Sequence, residues 1–126
     1  MRVHNPEGMA GPFATYSHGI ELDEPRRLLF GAGQVGVGPD GGVGADVAEQ
    51  ARHVWDNIHA ILASADMDIT NIVQLNMYLL DRADREAAHA VRQEVLGDHR
   101  PASTLLYVSG LSRPEWRLEI DFIAAD

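Results

Sequence analysis

The stretch ADVAEQARHVWDNIHAILASA, residues 45 to 65, constrains this chain more than any other. Val47, Ala51, Val54, Ile58, Ile61, Leu62 and Ala65 recur at the spacing of one helical face. Asp46 stands where a side chain can accept from the free amides of a first turn, and Glu49 three residues on resembles a capping box. A helix with a single apolar stripe must lay that stripe against something. Trp55 lies beside the stripe and reads as core edge.

The cover is found in two alternating segments. In Ile72–Leu80, Val73, Leu75, Met77 and Leu79 alternate with Gln74, Asn76 and Tyr78, which predicts a strand with one wetter face. In Trp116–Ala124, Leu118, Ile120 and Phe122 point one way and Arg117, Glu119 and Asp121 the other. Ser103–Ser109 reads as another strand, with Ser103, Leu105 and Tyr107 on one face. A second helix starts at Asp81 or Asp84 and reaches about Leu96, with Gly97 as its stop and Pro101 beyond. Upstream, residues 1–12 read as an arm. Tyr16–Leu22 and Arg27–Phe30 read as two strands of a hairpin, with Tyr16 and His18 on one face of the first. The glycine-rich GAGQVGVGPDGGVG, residues 31 to 44, lacks the GxxxxGK[ST] spacing of a phosphate cradle. It reads as a short strand, Gln34–Val37, and a turn. The order predicts one α+β two-layer domain spanning residues 1–126, with both helices on one face of a mixed sheet. The other face is too apolar to stay wet, which implies self-association.

Ten basic and nineteen acidic residues give a formal net charge of −9. That balance opposes nucleic-acid binding, which rests on phosphate contacts. No apolar run approaches the ~20 residues of a membrane helix, and MRVHNPEGMAGPF does not read as a secretory leader. With no cysteine there is neither disulfide nor thiolate chemistry, which fits a cytoplasmic location. The histidines at 4, 18, 53, 59, 89 and 99 show no metal-ligand spacing, and no GxSxG occurs. Neither a metal nor a cofactor is expected. Glu119, on a strand face turned from the core, could position water or transfer a proton if partly buried; spacing alone favours a solvated strand charge or a partner for Arg117.

GAGQV, the capped helix, IVQLNMYLLD, HRPAST and LEIDFIAAD together resemble the reactive-intermediate deaminase (Rid, YjgF-like) family over roughly residues 12 to 125. The resemblance implies a chorismate-mutase-like fold, a homotrimer and small-molecule clefts between subunits. Its best-known activity is hydrolysis of enamines and imines to ketoacids and ammonia without cofactor; some members were also described as ribonucleases or translation inhibitors. Carried over residue by residue, Tyr16 matches an early site tyrosine. Gly33 matches the glycine of SGQ, with Ala32 in place of the serine, and His89 falls where many members have asparagine. Glu119 matches the glutamate thought to orient the attacking water.

Active members typically read PARS, with an arginine that grips the substrate carboxylate. This chain reads PAST, so Ser103 stands in that place, with Leu105 where cysteine is frequent. Losing an arginine fork removes two charge-assisted hydrogen bonds of ~1.5–3 kcal/mol each, or ~10²–10⁴-fold in affinity. The cleft is therefore expected to lack its anion grip unless Arg100, Arg113 or Arg117 swings in, and to take something other than a simple acidic imine. Glu119, Tyr16 and His89 would be catalytic, with His18 an alternative proton carrier; His18, Gly33, Ser103, Leu105, Tyr107 and Trp116 would bind the ligand. The alternatives are a trimer that binds a metabolite or protein partner without turnover, and a ribonuclease.

Overall fold

A computed structural model describes all 126 residues. Eight strands and helices follow in the order β1 Arg2–His4, β2 Gly19–Glu21, β3 Leu28–Val35, α1 Val47–Ser64, β4 Ile72–Leu79, α2 Arg85–Leu96, β5 Ala102–Tyr107 and β6 Leu118–Ala125. Four strands form one sheet in the order β3-β6-β4-β5. The β4–β5 pair is parallel and the others antiparallel, so the sheet is mixed, and α1 and α2 pack on one of its faces.

Both helices begin as their sequences dictate. The Asp46 carboxylate accepts from the Glu49 amide at 2.8 Å, while Glu49 reaches back to the Ala45 amide, also at 2.8 Å. The second helix is preceded by a 3₁₀ turn, Arg82–Asp84, that Asp81 caps. It stops at Gly97, whose φ of 55° places it in the left-handed region. The α1 stripe meets the inward side chains of the two central strands. Trp55, Ile58, Leu62, Leu75, Met77, Leu79, Leu118 and Ile120 are fully buried there. Phe122 lies across β3 at Gly31, where even a methyl group would sit 2.1 Å from its ring.

The N-terminal third departs from expectation. The strand expected over 16–22 is regular only at β2, and it pairs with β1, inside the segment read as an arm. The expected hairpin between residues 16–22 and 27–30 does not form; β3 pairs with β6 instead. Arg26 and Arg27 fasten one end of that pairing. The Arg26 amide donates to the Asp126 carbonyl at 2.7 Å, and both guanidiniums bind the Asp126 carboxylate. This latch ties the start of β3 to the end of β6. The separate strand expected at 34–37 is the end of β3, after which Val37 bridges to Val43 across the glycine turn.

Asp84 is almost wholly buried and accepts from Arg117 at 3.1 Å (Nε to Oδ2) and 2.5 Å (Nη2 to Oδ1). This fork joins the foot of α2 to the loop before β6. Asp84→Ala removes both charge-assisted bonds, while Arg117, half exposed, can turn to water. The expected loss is about 2–3 kcal/mol of unfolding free energy in a urea titration. A loss below about 0.5 kcal/mol, the scale of an ordinary surface change, would show that the fork is ornamental.

Candidate active site

The strand registers sort the candidate residues by face. Ser103 stands opposite Leu75, Leu105 opposite Met77 and Tyr107 opposite Leu79 in the parallel β4–β5 ladder. Those three β4 residues are buried beneath the helices, so Ser103, Leu105 and Tyr107 face the helix layer. Glu119 stands opposite Tyr78 in the antiparallel β4–β6 ladder, on the open face. Within one copy, therefore, Ser103 and Glu119 lie on opposite sides of the sheet.

Two hollows follow from this. The first, of about 240 Å³, lies between α2, the start of β5 and the segment preceding β2. Tyr16, Arg85, His89, Arg92, Ser103 and Leu105 line it, with Phe13 and Ala14 at its margin. The second, of about 290 Å³, is on the open face and includes Gly33, Tyr78, Glu119 and Asp121. The Glu119 carboxylate rests on Gly33, where an added Cβ would come within 1.9 Å of Oε1. Glycine is what gives the carboxylate room. Beside it, Asp121 accepts from Asn76 and from the Tyr78 hydroxyl, each at 2.8 Å. That bond to a carboxylate, with burial and the Asp121 and Glu119 charges, holds the Tyr78 hydroxyl above its ordinary pKa.

The first hollow is not without a cation. Arg92, on α2, is 5% exposed and donates from Nη1 to the Ser103 hydroxyl at 3.1 Å and from Nη2 to the Thr15 carbonyl at 2.9 Å. Its Nε is buried without a partner, and no carboxylate lies within ion-pair distance. A guanidinium thus lies within hydrogen-bond reach of the Ser103 hydroxyl. It comes from none of the arginines considered from the sequence. Arg100 turns to the carbonyls of its own turn, Arg113 lies over Trp116 at 5.4 Å, and Arg117 is held by Asp84. The signal was present in α2. Ala88, Val91 and Leu96 form its buried stripe, and Arg92 interrupts that stripe as its one buried charge.

Burial lowers the pKa of Arg92, and the Arg100 charge adds to this. Burial, then the charges of Arg92 and Arg85, also holds His89 below the usual histidine range, which favours the neutral ring. A neutral imidazole beside a fixed guanidinium can donate or accept one hydrogen bond without adding charge.

Among the residues expected in a cleft, Tyr16, His89, Ser103 and Leu105 meet in the first hollow, and Gly33 and Glu119 in the second. His18, Tyr107 and Trp116 line neither. The His18 ring bonds the Ala10 carbonyl at 2.9 Å and meets Tyr16 edge to face. Tyr107 lies under Arg82, 4.4 Å from its guanidinium, and Trp116 under Arg113. The first strand expected to present Tyr16 and His18 is irregular there; Tyr16 is instead held by its hydroxyl, which accepts from the Phe13 amide at 3.3 Å.

Known proteins share this fold. The family described as Endoribonuclease L-PSP matches residues 8–126. The 2-iminobutanoate/2-iminopropanoate deaminase of Escherichia coli is 31% identical over 126 residues, covering 97% of this chain and 93% of that protein. Among solved structures, YyfB of Yersinia pestis, of the conserved Rid protein family, superposes with a TM-score of 0.84 at 28% identity, covering 98% of this chain and 97% of that one. Escherichia coli TdcF with bound serine superposes with a TM-score of 0.75 at 25% identity, covering 100% and 99%. The match runs from just after β1 to the last residue and includes both hollows, so this chain belongs to the Endoribonuclease L-PSP (YjgF/Rid) family.

Proposed function

We propose that this protein hydrolyses the C–N bond of small imines or enamines that carry a carboxylate, in a cleft completed by a neighbouring copy. The carrying observation is Arg92, a buried guanidinium with no anionic partner beside Ser103. An isolated buried charge costs several kcal/mol of desolvation, which a bound carboxylate would offset. This departs from the expectation of a substrate other than a simple acidic imine, because Arg92 supplies the grip that PAST lacks. The relative named for 2-iminobutanoate and 2-iminopropanoate, and the bound serine of TdcF, support the same class of ligand.

The chemistry needs three things: a fixed carboxylate, a positioned water and a route for protons. Arg92 holds the substrate carboxylate through a fork. Glu119 of a neighbouring copy takes a proton as water adds to the imine carbon. The C–N bond then breaks, the nitrogen leaves as ammonia with the protons it has gained, and the 2-oxo acid remains. Tyr16 and His89 hydrogen-bond the imine end. An enamine first takes a proton at its β-carbon and enters the same path. The opposite-face placement of Ser103 and Glu119 supports a closed ring of copies, a homotrimer in this family's manner, since no single chain joins the two hollows.

The test is ammonia release from imines generated in place by an amino acid oxidase. The protein should accelerate hydrolysis of alanine- and 2-aminobutyrate-derived imines, and Glu119→Gln should lower kcat by ~10²–10⁴-fold. No acceleration on any carboxylate-bearing imine would sink the proposal. The family's description as an endoribonuclease supplies the rival reading. A net charge of −9 opposes a polyanion, and RNA cleavage abolished by Arg92→Met would favour the rival instead.

A further inference from the structure

All ten basic residues of this chain are arginines. Arg2, Arg26, Arg27 and Arg117 form ion pairs, Arg82 and Arg113 lie over aromatic rings, and Arg100 donates to backbone carbonyls. Arg52, on the outer side of α1, and Arg85 have no partner of either kind, and Arg92 has only neutral ones. Two of these three uncommitted guanidiniums flank the same hollow. In a chain with nearly twice as many acidic as basic residues, no carboxylate lines that hollow.

The placement follows from helix geometry. Arg85, His89 and Arg92 stand at i, i+4 and i+7 on α2, and so share one face. Arg85 is exposed at the mouth and Arg92 is buried at the floor. Their backbones are ~10 Å apart along the axis, at 1.5 Å per residue. Both side chains line the hollow, so their guanidiniums can bracket a ligand a few carbons long. His89 lies between them on the same helix face and also lines the hollow. At about 240 Å³ the hollow falls below the ~300–1,000 Å³ of clefts for drug-sized ligands.

We infer that the α2 hollow selects a small molecule with two anionic ends, a dicarboxylate, with one carboxylate on Arg92 at the floor and the other on Arg85 at the mouth. The preferred substrate is then the imine of an acidic amino acid. This rests on the imine-hydrolase reading for the reaction, though not for the binding. Arg92 is a buried charge without a counterion and Arg85 a hydrated one at the same hollow, so the field there is positive at both ends and favours a dianion over a monoanion. Arg92 determines that an acid binds, and Arg85 determines which acid.

The experiment has two arms. In the first, kcat/KM is measured on glutamate-derived and alanine-derived imines, for wild type and Arg85→Gln. The wild type should favour the glutamate-derived imine by ~10-fold or more, and Arg85→Gln should cut that ratio by ~10-fold, the weight of one charge-assisted contact. A ratio near one in wild type, or a ratio that Arg85→Gln leaves intact, would overturn the assignment. In the second arm, glutarate, butanoate and inorganic phosphate are titrated calorimetrically into both proteins. Glutarate should bind tightest, and Arg85→Gln should bring it down towards butanoate. Arg85-dependent glutarate binding without hydrolysis of any imine would keep the dicarboxylate site and discard the hydrolase. Tighter binding of phosphate than of glutarate would replace the dicarboxylate with a phosphate ester.

Discussion

Arg92→Met should abolish turnover of carboxylate-bearing imines while leaving the fold in place. The fork to a carboxylate comprises two charge-assisted hydrogen bonds of ~1.5–3 kcal/mol each, so kcat/KM should fall by ~10²–10⁴-fold. Stability should respond quite differently. The substitution removes bonds to the Ser103 hydroxyl and the Thr15 carbonyl, which costs energy. It also removes a buried cation that has no counterion, which returns energy. These effects oppose each other, and the expected net change is within about 1 kcal/mol. Arg92→Lys keeps the charge but not the planar fork and should recover only part of the rate. An unfolding midpoint close to wild type with kcat/KM also close to wild type would remove Arg92 from the site. A large loss of stability would show instead that Arg92 mainly fastens the Thr15 segment to α2, a task that Gln93 shares through its 2.6 Å bond from the Thr15 hydroxyl.

Mixing two inactive variants should restore activity. The Arg92 hollow and the Glu119 hollow lie on opposite faces of one sheet, so the proposed site, which uses both, would draw one from each of two neighbours. In a closed ring with head-to-tail contacts, every site uses Arg92 of one copy and Glu119 of the next. Arg92→Met and Glu119→Gln proteins, each nearly inert, are unfolded together in equal amounts and refolded. Roughly a quarter of the sites should then hold both native residues and about a quarter of wild-type activity should return. Simple mixing without subunit exchange is the control. No recovery from a mixture shown by mass spectrometry to contain both chains in one assembly would place the whole site within a single copy.

The helices and central strands were legible because their signals are local. The stripe of α1, its Asp46 cap and the alternation of Leu118, Ile120 and Phe122 each depend on near neighbours in sequence. The N-terminal strands were not legible in the same way. Leu28–Val35 pairs forwards with β6 along its length, and Asp126, about a hundred residues from Arg26 and Arg27, fastens one end of that ladder. No local pattern encodes that latch. Ser103 was legible as a missing charge, but its neighbour Arg92 was not, because the arginines near it in sequence, Arg100, Arg113 and Arg117, are all engaged elsewhere and Arg92 approaches from α2. Arg92 reaches the same point from another element. Its interruption of an otherwise apolar stripe was the available clue. The opposite facing of Ser103 and Glu119 follows from the strand registers, which the alternation of each segment alone does not fix.

The open side of the sheet carries Leu28, Phe30 and Leu106, all well exposed, around the Asn76–Asp121–Tyr78 bonds. An isolated copy must keep these oily groups in contact with solvent. If copies associate over this face as proposed, dilution would strip part of what keeps each chain folded, and resistance to heat would depend on concentration as well as on sequence.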